Sequence, residues 1–126
     1  MKRKWAALLL LLPTLAVALC GCASKQKNDQ VYQQLLTAFA DAGYAAVLEA
    51  PPQDAPIPIY NASVWKALQT GEDTVLVYFD ESNRADYLLT MIDQEQYGYA
   101  THAGQRFILV YNGENAALKA FLETLE

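Results

Sequence analysis

The sequence predicts an α+β fold, a two-layer sandwich with a largely antiparallel sheet of about five strands and helices on one face, in the order α-β-β-β-α-β-β-α. Three observations carry that expectation. Tight turn signals at Thr70-Gly71-Glu72-Asp73 and Ala103-Gly104-Gln105 each join two strand-like runs, and short hairpins make antiparallel pairs. Three other segments repeat apolar residues at helical spacing, and each stripe needs a surface to cover. The strand-like runs are apolar on alternate positions of both registers, so the sheet has two faces to bury.

In chain order, Asn28 or Asp29 is placed to cap a helix to about Ala42, with Tyr32, Leu35, Leu36 and Phe39 on one face and Gly43 as its left-handed stop. Tyr44 to Ala50 reads as a strand. Pro51, Pro52, Pro56 and Pro58 then impose an irregular loop, 51–60. Ser63 to Leu68 is readable as a short capped helix or as a strand, and the turn that follows favours a strand from Val64 to Leu68. Thr74 to Asp80 is the most strand-like run of all. Gly71 supplies the positive φ its turn needs.

Ser82 is placed to cap a helix to about Ile92, with Ala85, Leu88, Leu89 and Ile92 on one face, and the polar Asp93 to Gln96 ends it. A second hairpin pairs Tyr97 to His102 with Arg106 to Tyr111. Asn112-Gly113 closes that strand, and a last helix runs from Glu114 to Leu125 with Leu118, Phe121, Leu122 and Leu125 as its stripe.

The N-terminus reads as an address. Met1-Lys2-Arg3-Lys4 is basic, and Trp5 to Leu19 is apolar apart from Pro13 and Thr14, the layout of a secretory signal peptide. About 15 apolar residues fall short of the roughly 20 that a bilayer span needs. The run ends in Leu19-Cys20-Gly21-Cys22, which resembles the lipobox of bacterial lipoproteins. That resemblance implies recognition of Leu19, Cys20 and Gly21 by lipoprotein signal peptidase, a diacylglycerol on the Cys22 thiol, and cleavage just before it. It assigns 1–21 to the signal peptide, 22–30 to a lipidated cysteine and polar tether, and 31–126 to one α+β domain. Location follows: the extracytoplasmic face of the cell membrane, with the lipid as anchor. Ordinary secretory cleavage, with both cysteines structural, is the competing reading, although cysteines so close in sequence make a strained bridge.

Val75-Leu76-Val77-Tyr78-Phe79-Asp80 and Ile108-Leu109-Val110-Tyr111-Asn112-Gly113 also resemble strands of small cell-envelope lipoproteins of unknown function. These are packing patterns, and they imply a fold without implying a catalytic residue.

Cutting before Cys22 leaves six basic residues against fourteen acidic ones, a net charge near −8. Such a surface repels nucleic acid and anionic head groups. His102 is the only histidine and has no partner at metal-ligand or triad spacing, so it reads as a surface or strand-end residue. Asp80, Glu81, Asp93 and Glu95 lack the glycine and spacing of a calcium loop and read as solvated charge. Asn61-Ala62-Ser63 matches a glycosylation sequon that a bacterial signal leaves idle. There is no G-x-S-x-G, phosphate loop or dinucleotide fingerprint, and no cofactor is implied.

The surplus of apolar strand residues is the more informative feature. With helices on one face only, Trp65, Leu76, Tyr78, Tyr97 and Tyr99 mark a candidate interaction face for a protein or peptide of the envelope. Two readings follow: a non-catalytic interaction or accessory module using that face, or a small-ligand-binding or enzymatic domain with loop 51–60 as a lid. If the loop or a helix folds over the face, the same residues become plain core.

Overall fold

Gly43 ends the first helix as its lack of a side chain allows. Its φ is +94°, and a Schellman pair closes the turn, Tyr44 N–H donating to Phe39 O at 2.8 Å and Gly43 N–H to Ala40 O at 3.0 Å. The helix, α1, is Ala23–Asp41. It starts before the predicted cap at Asn28 or Asp29, so the stretch expected as a tether is helical. Its Ala, Lys and Gln residues are good helix formers even where no apolar stripe marks them.

The structure is a computed structural model that describes residues 23–126, with side chains from residue 30. The signal-peptide and lipobox expectations, Leu19, Cys20, Gly21 and Cys22 included, lie outside the described residues. Among the described residues no helix is long and apolar enough to cross a membrane. The chain divides into a unit ending at Ala38 and a second unit, Phe39–Glu126.

The second unit is built on one five-stranded sheet of order β1-β2-β3-β5-β4. Its strands are β1 Val47–Glu49, β2 Trp65–Thr70, β3 Asp73–Phe79, β4 Tyr99–Ala103 and β5 Phe107–Tyr111. Every neighbouring pair is antiparallel. Thr70 pairs with Asp73 across the two-residue turn Gly71-Glu72, and Gly71 at φ +61° occupies the first central position, as a type II′ hairpin turn requires. Both readings of Ser63 to Leu68 contribute: Ala62–Val64 is a single 3₁₀ turn capped by the Asn61 side chain, and the strand begins at Trp65.

The register sorts the two faces. Trp65 lies opposite Tyr78 and Ala67 opposite Leu76; Leu76 in turn meets Val110, Tyr78 meets Ile108, and Ala100 meets Val110. These residues share what we call the front face. Leu68, Val75, Val77, Leu109, Tyr111 and Thr101 point to the back.

Two short helices replace the single one predicted over Ser82 to Ile92. Helix α2 is Ala85–Leu89 and α3 is Gln94–Tyr97. Ser82 does not cap α2, whose N-cap is Arg84 without a side-chain bond; Asp80 instead holds the turn that leads into it. The Asp80 carboxylate accepts from Ser82 N–H at 3.0 Å and from Arg84 N–H at 2.7 Å. The polar Asp93 to Gln96 segment, read as a helix end, begins the next helix, because the Asp93 side chain accepts from Glu95 N–H at 3.0 Å. Tyr97 therefore closes α3 instead of opening a strand. The last helix, α4, is Ala116–Glu123, with Asn115 Oδ1 accepting from Leu118 N–H at 3.2 Å.

The α+β class and the element order are those the sequence predicts. Helix placement differs, for helices cover both faces. Ala85, Leu88 and Ile92 pack on the front with Trp65, Ala67, Leu76, Ala100, Ile108 and Val110. Helix α4 lies across the back, held before its start by Asn115 N–H donating to the Tyr111 hydroxyl at 3.0 Å and past its end by Thr101 Oγ1–H donating to Glu126 at 2.6 Å. Its Leu118 and Leu122 are fully buried, each worth about 1.5–3 kcal/mol relative to exposure. Phe39 sets its ring edge-on against Phe121 at 4.9 Å, and Tyr44 stacks on the same ring at 5.2 Å.

Candidate functional site

The face predicted for interaction is closed. Trp65 is 2% exposed and Leu76 is buried, while Tyr78 and Tyr97 are half-buried against the same front-face cluster together with Ile57 and Ile59 of the proline-rich loop. Tyr99 does not join them. It pairs with Tyr111 on the back face, because Tyr97 lies in α3 and the expected strand alternation between the two tyrosines does not exist.

The front face is closed by Ala85, Leu88 and Ile92 together with the loop. Pro51 to Ile59 has few backbone hydrogen bonds of its own, which suits a proline-rich sequence, and it is fastened from below. Trp65 Nε1–H donates to Ile59 O at 2.7 Å. That bond satisfies the one polar atom of a buried indole and fixes the loop's end in the same step. The next residue, Tyr60, has φ +61° and is 60% exposed. Left-handed backbone is uncommon for a tyrosine, and here it turns the ring onto Tyr78 at 5.4 Å, which lies 5.5 Å from Trp65. Burial, with Tyr60 and Asp80 nearby, pushes the Tyr78 phenol above its ordinary value, so it is neutral at physiological pH.

Between loop and sheet a cleft of about 150 Å³ remains, lined by Pro52, Ala55 and Pro56 above and by Thr74, Leu76, Val110, Asn112 and Tyr97 below and beside. Continuing the β3–β5 register by two pairs places Thr74 across from Asn112. The wall beyond is unusually close: a Cβ on Gly98 would sit 2.6 Å from Asn112 Cα. Thr74 Oγ1–H donates to Gln69 Oε1 at 2.9 Å, and the Asn112 amide has no hydrogen-bond partner among the described residues. The cleft thus offers an apolar floor, proline walls and one free amide.

Asp80 is buried and fully engaged at the opposite end of the sheet. Burial alone would raise its carboxyl, but the Ser82 hydroxyl at 2.6 Å and the N–H groups of Arg84 and Ser82 hold it below the ordinary value. It holds the turn between β3 and α2. His102 Nδ1–H donates to Gly104 O at 2.6 Å beside the hairpin turn. Among the described residues no group of three or more His, Cys, Asp or Glu is placed to hold a metal ion.

Of the sequence-predicted residues, Trp65, Leu76, Tyr78 and Tyr97 are brought together, as core with one edge on the cleft; Tyr99 is not. Thr74, Asn112 and Pro56 went unmarked as cleft residues. The signal that pointed toward them was the reading of loop 51–60 as a lid. Comparison with protein-family models, with curated proteins and with solved structures gives no match for this chain.

Proposed function

We propose that the chain is a lipid-anchored, non-catalytic binding module on the extracytoplasmic face of a bacterial cell membrane. The observation that carries it is Leu19-Cys20-Gly21-Cys22 at the end of a basic, then apolar, leader. The Cys22 thiol bears the diacylglycerol, and the acidic unit that follows works by being held near its partner. Two acyl chains suffice for this, since each buried methylene contributes about 0.8 kcal/mol.

The cleft favours a second reading, a small-ligand or enzymatic domain with loop 51–60 as lid. Its volume of about 150 Å³ weighs against that reading, because pockets for ordinary small molecules run from about 300 to 1,000 Å³. Its polar lining is the Asn112 amide, the Thr74 hydroxyl committed to Gln69 and the Tyr97 side chain, with no carboxylate, histidine or cysteine among them.

Intact mass of the full chain expressed in a lipoprotein-processing bacterium tests the proposal. The expected product starts at Cys22, carries the acyl mass, incorporates labelled palmitate and partitions with membranes. Cys22→Ser abolishes the label. A product cut elsewhere, or one whose Cys22 is unmodified, overturns it.

A further inference from the structure

We infer that the cleft beneath the proline-rich loop is a peptide-recognition site that takes one apolar side chain from a positively charged segment of a partner protein. The inference deepens the binding-module reading and rests on it. Three features of the cleft lead there.

Size comes first. A space of about 150 Å³ between Pro56 and the Leu76–Val110 floor holds a single leucine- or methionine-sized group and excludes a typical cofactor or drug-sized ligand. Its floor and proline walls are apolar, so the group that fills it is apolar.

Chemistry at the rim comes second. The Asn112 amide carries both a donor and an acceptor, and it makes no hydrogen bond among the described residues. A peptide group presents the complementary C=O and N–H at the base of the side chain that would fill the cleft. An isolated hydrocarbon presents neither and leaves the amide unused.

Charge comes third. Asp54 lies in the loop segment between the lining residues Pro52 and Ala55, and Glu72 in the hairpin turn two residues before Thr74, whereas the Asp73 carboxylate is turned to Tyr111 and Asn115 on the other face. None of the four cationic side chains among residues 30–126 lines this cleft. Lys66 is one residue into β2 at the far end, Arg84 and Arg106 adjoin Asp80 there, and Lys119 is on α4 across the back face. A rim of one sign selects its opposite and sets both on-rate and specificity.

Titration of the full mature chain in phosphatidylcholine nanodiscs, followed by amide NMR, tests the inference with four probes: N-acetyl-Lys-Leu-Lys-amide, its Leu→Ala and Lys→Glu analogues, and N-acetyl-leucine amide. The Lys-Leu-Lys peptide is expected to shift the resonances of Thr74, Leu76, Val110 and Asn112, and to bind about tenfold more tightly than the alanine analogue. Its affinity falls as salt rises, and the glutamate analogue does not bind. Asp54→Lys, at an exposed loop position, weakens the lysine peptide and spares the fold; Ala55→Trp fills the cleft and abolishes binding. Cys22→Ser leaves the peptide affinity unchanged while removing the anchor, so loss of anchoring and loss of recognition are read separately. Equal binding of N-acetyl-leucine amide makes the cleft a small-molecule pocket and overturns the inference, as do shifts confined to other surfaces or no binding at millimolar peptide.

Discussion

The Tyr111 hydroxyl donates to Asp73 Oδ1 at 2.6 Å, joining the end of β5 to the start of β3. The Tyr111 hydroxyl oxygen accepts from Asn115 N–H at 3.0 Å, and Asn115 Nδ2–H donates to Asp73 Oδ2 at 3.1 Å. Asn115 also caps α4. One phenol therefore couples the first hairpin, the last strand and the last helix. Tyr111→Phe keeps the ring, which is 1% exposed, and strands both partners. The expected loss is about 1–2 kcal/mol, read as a lower urea midpoint at unchanged slope. Exchange of the first-turn amides of α4 should accelerate more than that of β2. A uniform change across the unit would show that the phenol is only packing.

The latch also sets a pH dependence. Hydrogen bonds from Tyr111, then from Asn115, hold the Asp73 carboxyl below its ordinary value of 3.8. A carboxyl depressed in the folded state contributes stability that is present above its unfolded value and lost as pH falls through the folded one. Stability should therefore be level from neutrality to about pH 5 and decline below about pH 4. Asp80, depressed by its own hydrogen bonds, adds to the same limb. Asp73→Asn should flatten part of that decline. Tyr111 is shifted the other way, raised first by burial and then by Asp73, so its contribution holds below its ordinary value of 10.0 and fades at more alkaline pH. An acid limb unaltered in Asp73→Asn would place its origin elsewhere.

Gly98 is needed twice over. Its φ of +105° disfavours any side chain, and an added Cβ would meet Asn112 Cα at 2.6 Å and Tyr111 O at 2.8 Å. Gly71 at φ +61° and Gly43 at φ +94° share the first constraint, yet nothing lies within 4 Å of a Cβ at either. Alanine at Gly71 or Gly43 should cost about 1–2 kcal/mol of backbone strain, and at Gly98 about 2–4 kcal/mol once overpacking against backbone is added. Chemical denaturation of the three variants side by side gives the ranking. Equal losses would mean that the β4–β5 end yields more easily than its geometry says.

Much of this architecture was legible in local chemistry. The Gly71 turn, the Gly43 stop and the alternation in Val75 to Phe79 and Phe107 to Tyr111 are short-range signals, and the structure uses each of them. The errors arose where a polar residue had two uses. Asp93 reads as a terminator or as a cap, and Asp80 reads as a strand end or as the acceptor that starts a turn; the choice depends on which N–H groups the fold leaves unpaired. Whether the front face is open or closed is undecided in the sequence for a different reason. Ile57 and Ile59 reach it from a segment whose prolines declare irregularity without declaring direction. Asn112 was readable as a turn residue after β5, and its approach to Gly98 depends on two backbones meeting in space.

Trp65 should govern the loop and, through it, the cleft. Its indole N–H to Ile59 O bond at 2.7 Å is the side-chain tie that fastens the proline-rich segment to the sheet, and the ring is buried beneath. Trp65→Phe removes the donor, leaves Ile59 O without that partner and shrinks the packed volume, at a cost of about 1–3 kcal/mol. The more specific consequence is local. Amide exchange over 53–59 should accelerate well beyond the global change, limited proteolysis should shift toward Gln53-Asp54, and the cleft walls at Pro52 and Pro56 should lose their spacing from Leu76. In a chain cut before Cys22, Trp65 is the only tryptophan, so its fluorescence reports this environment directly and should resist a soluble quencher in the wild type. If loop exchange in Trp65→Phe rises no more than that of β5, the loop is held by its Ile57 and Ile59 contacts and the indole bond is incidental.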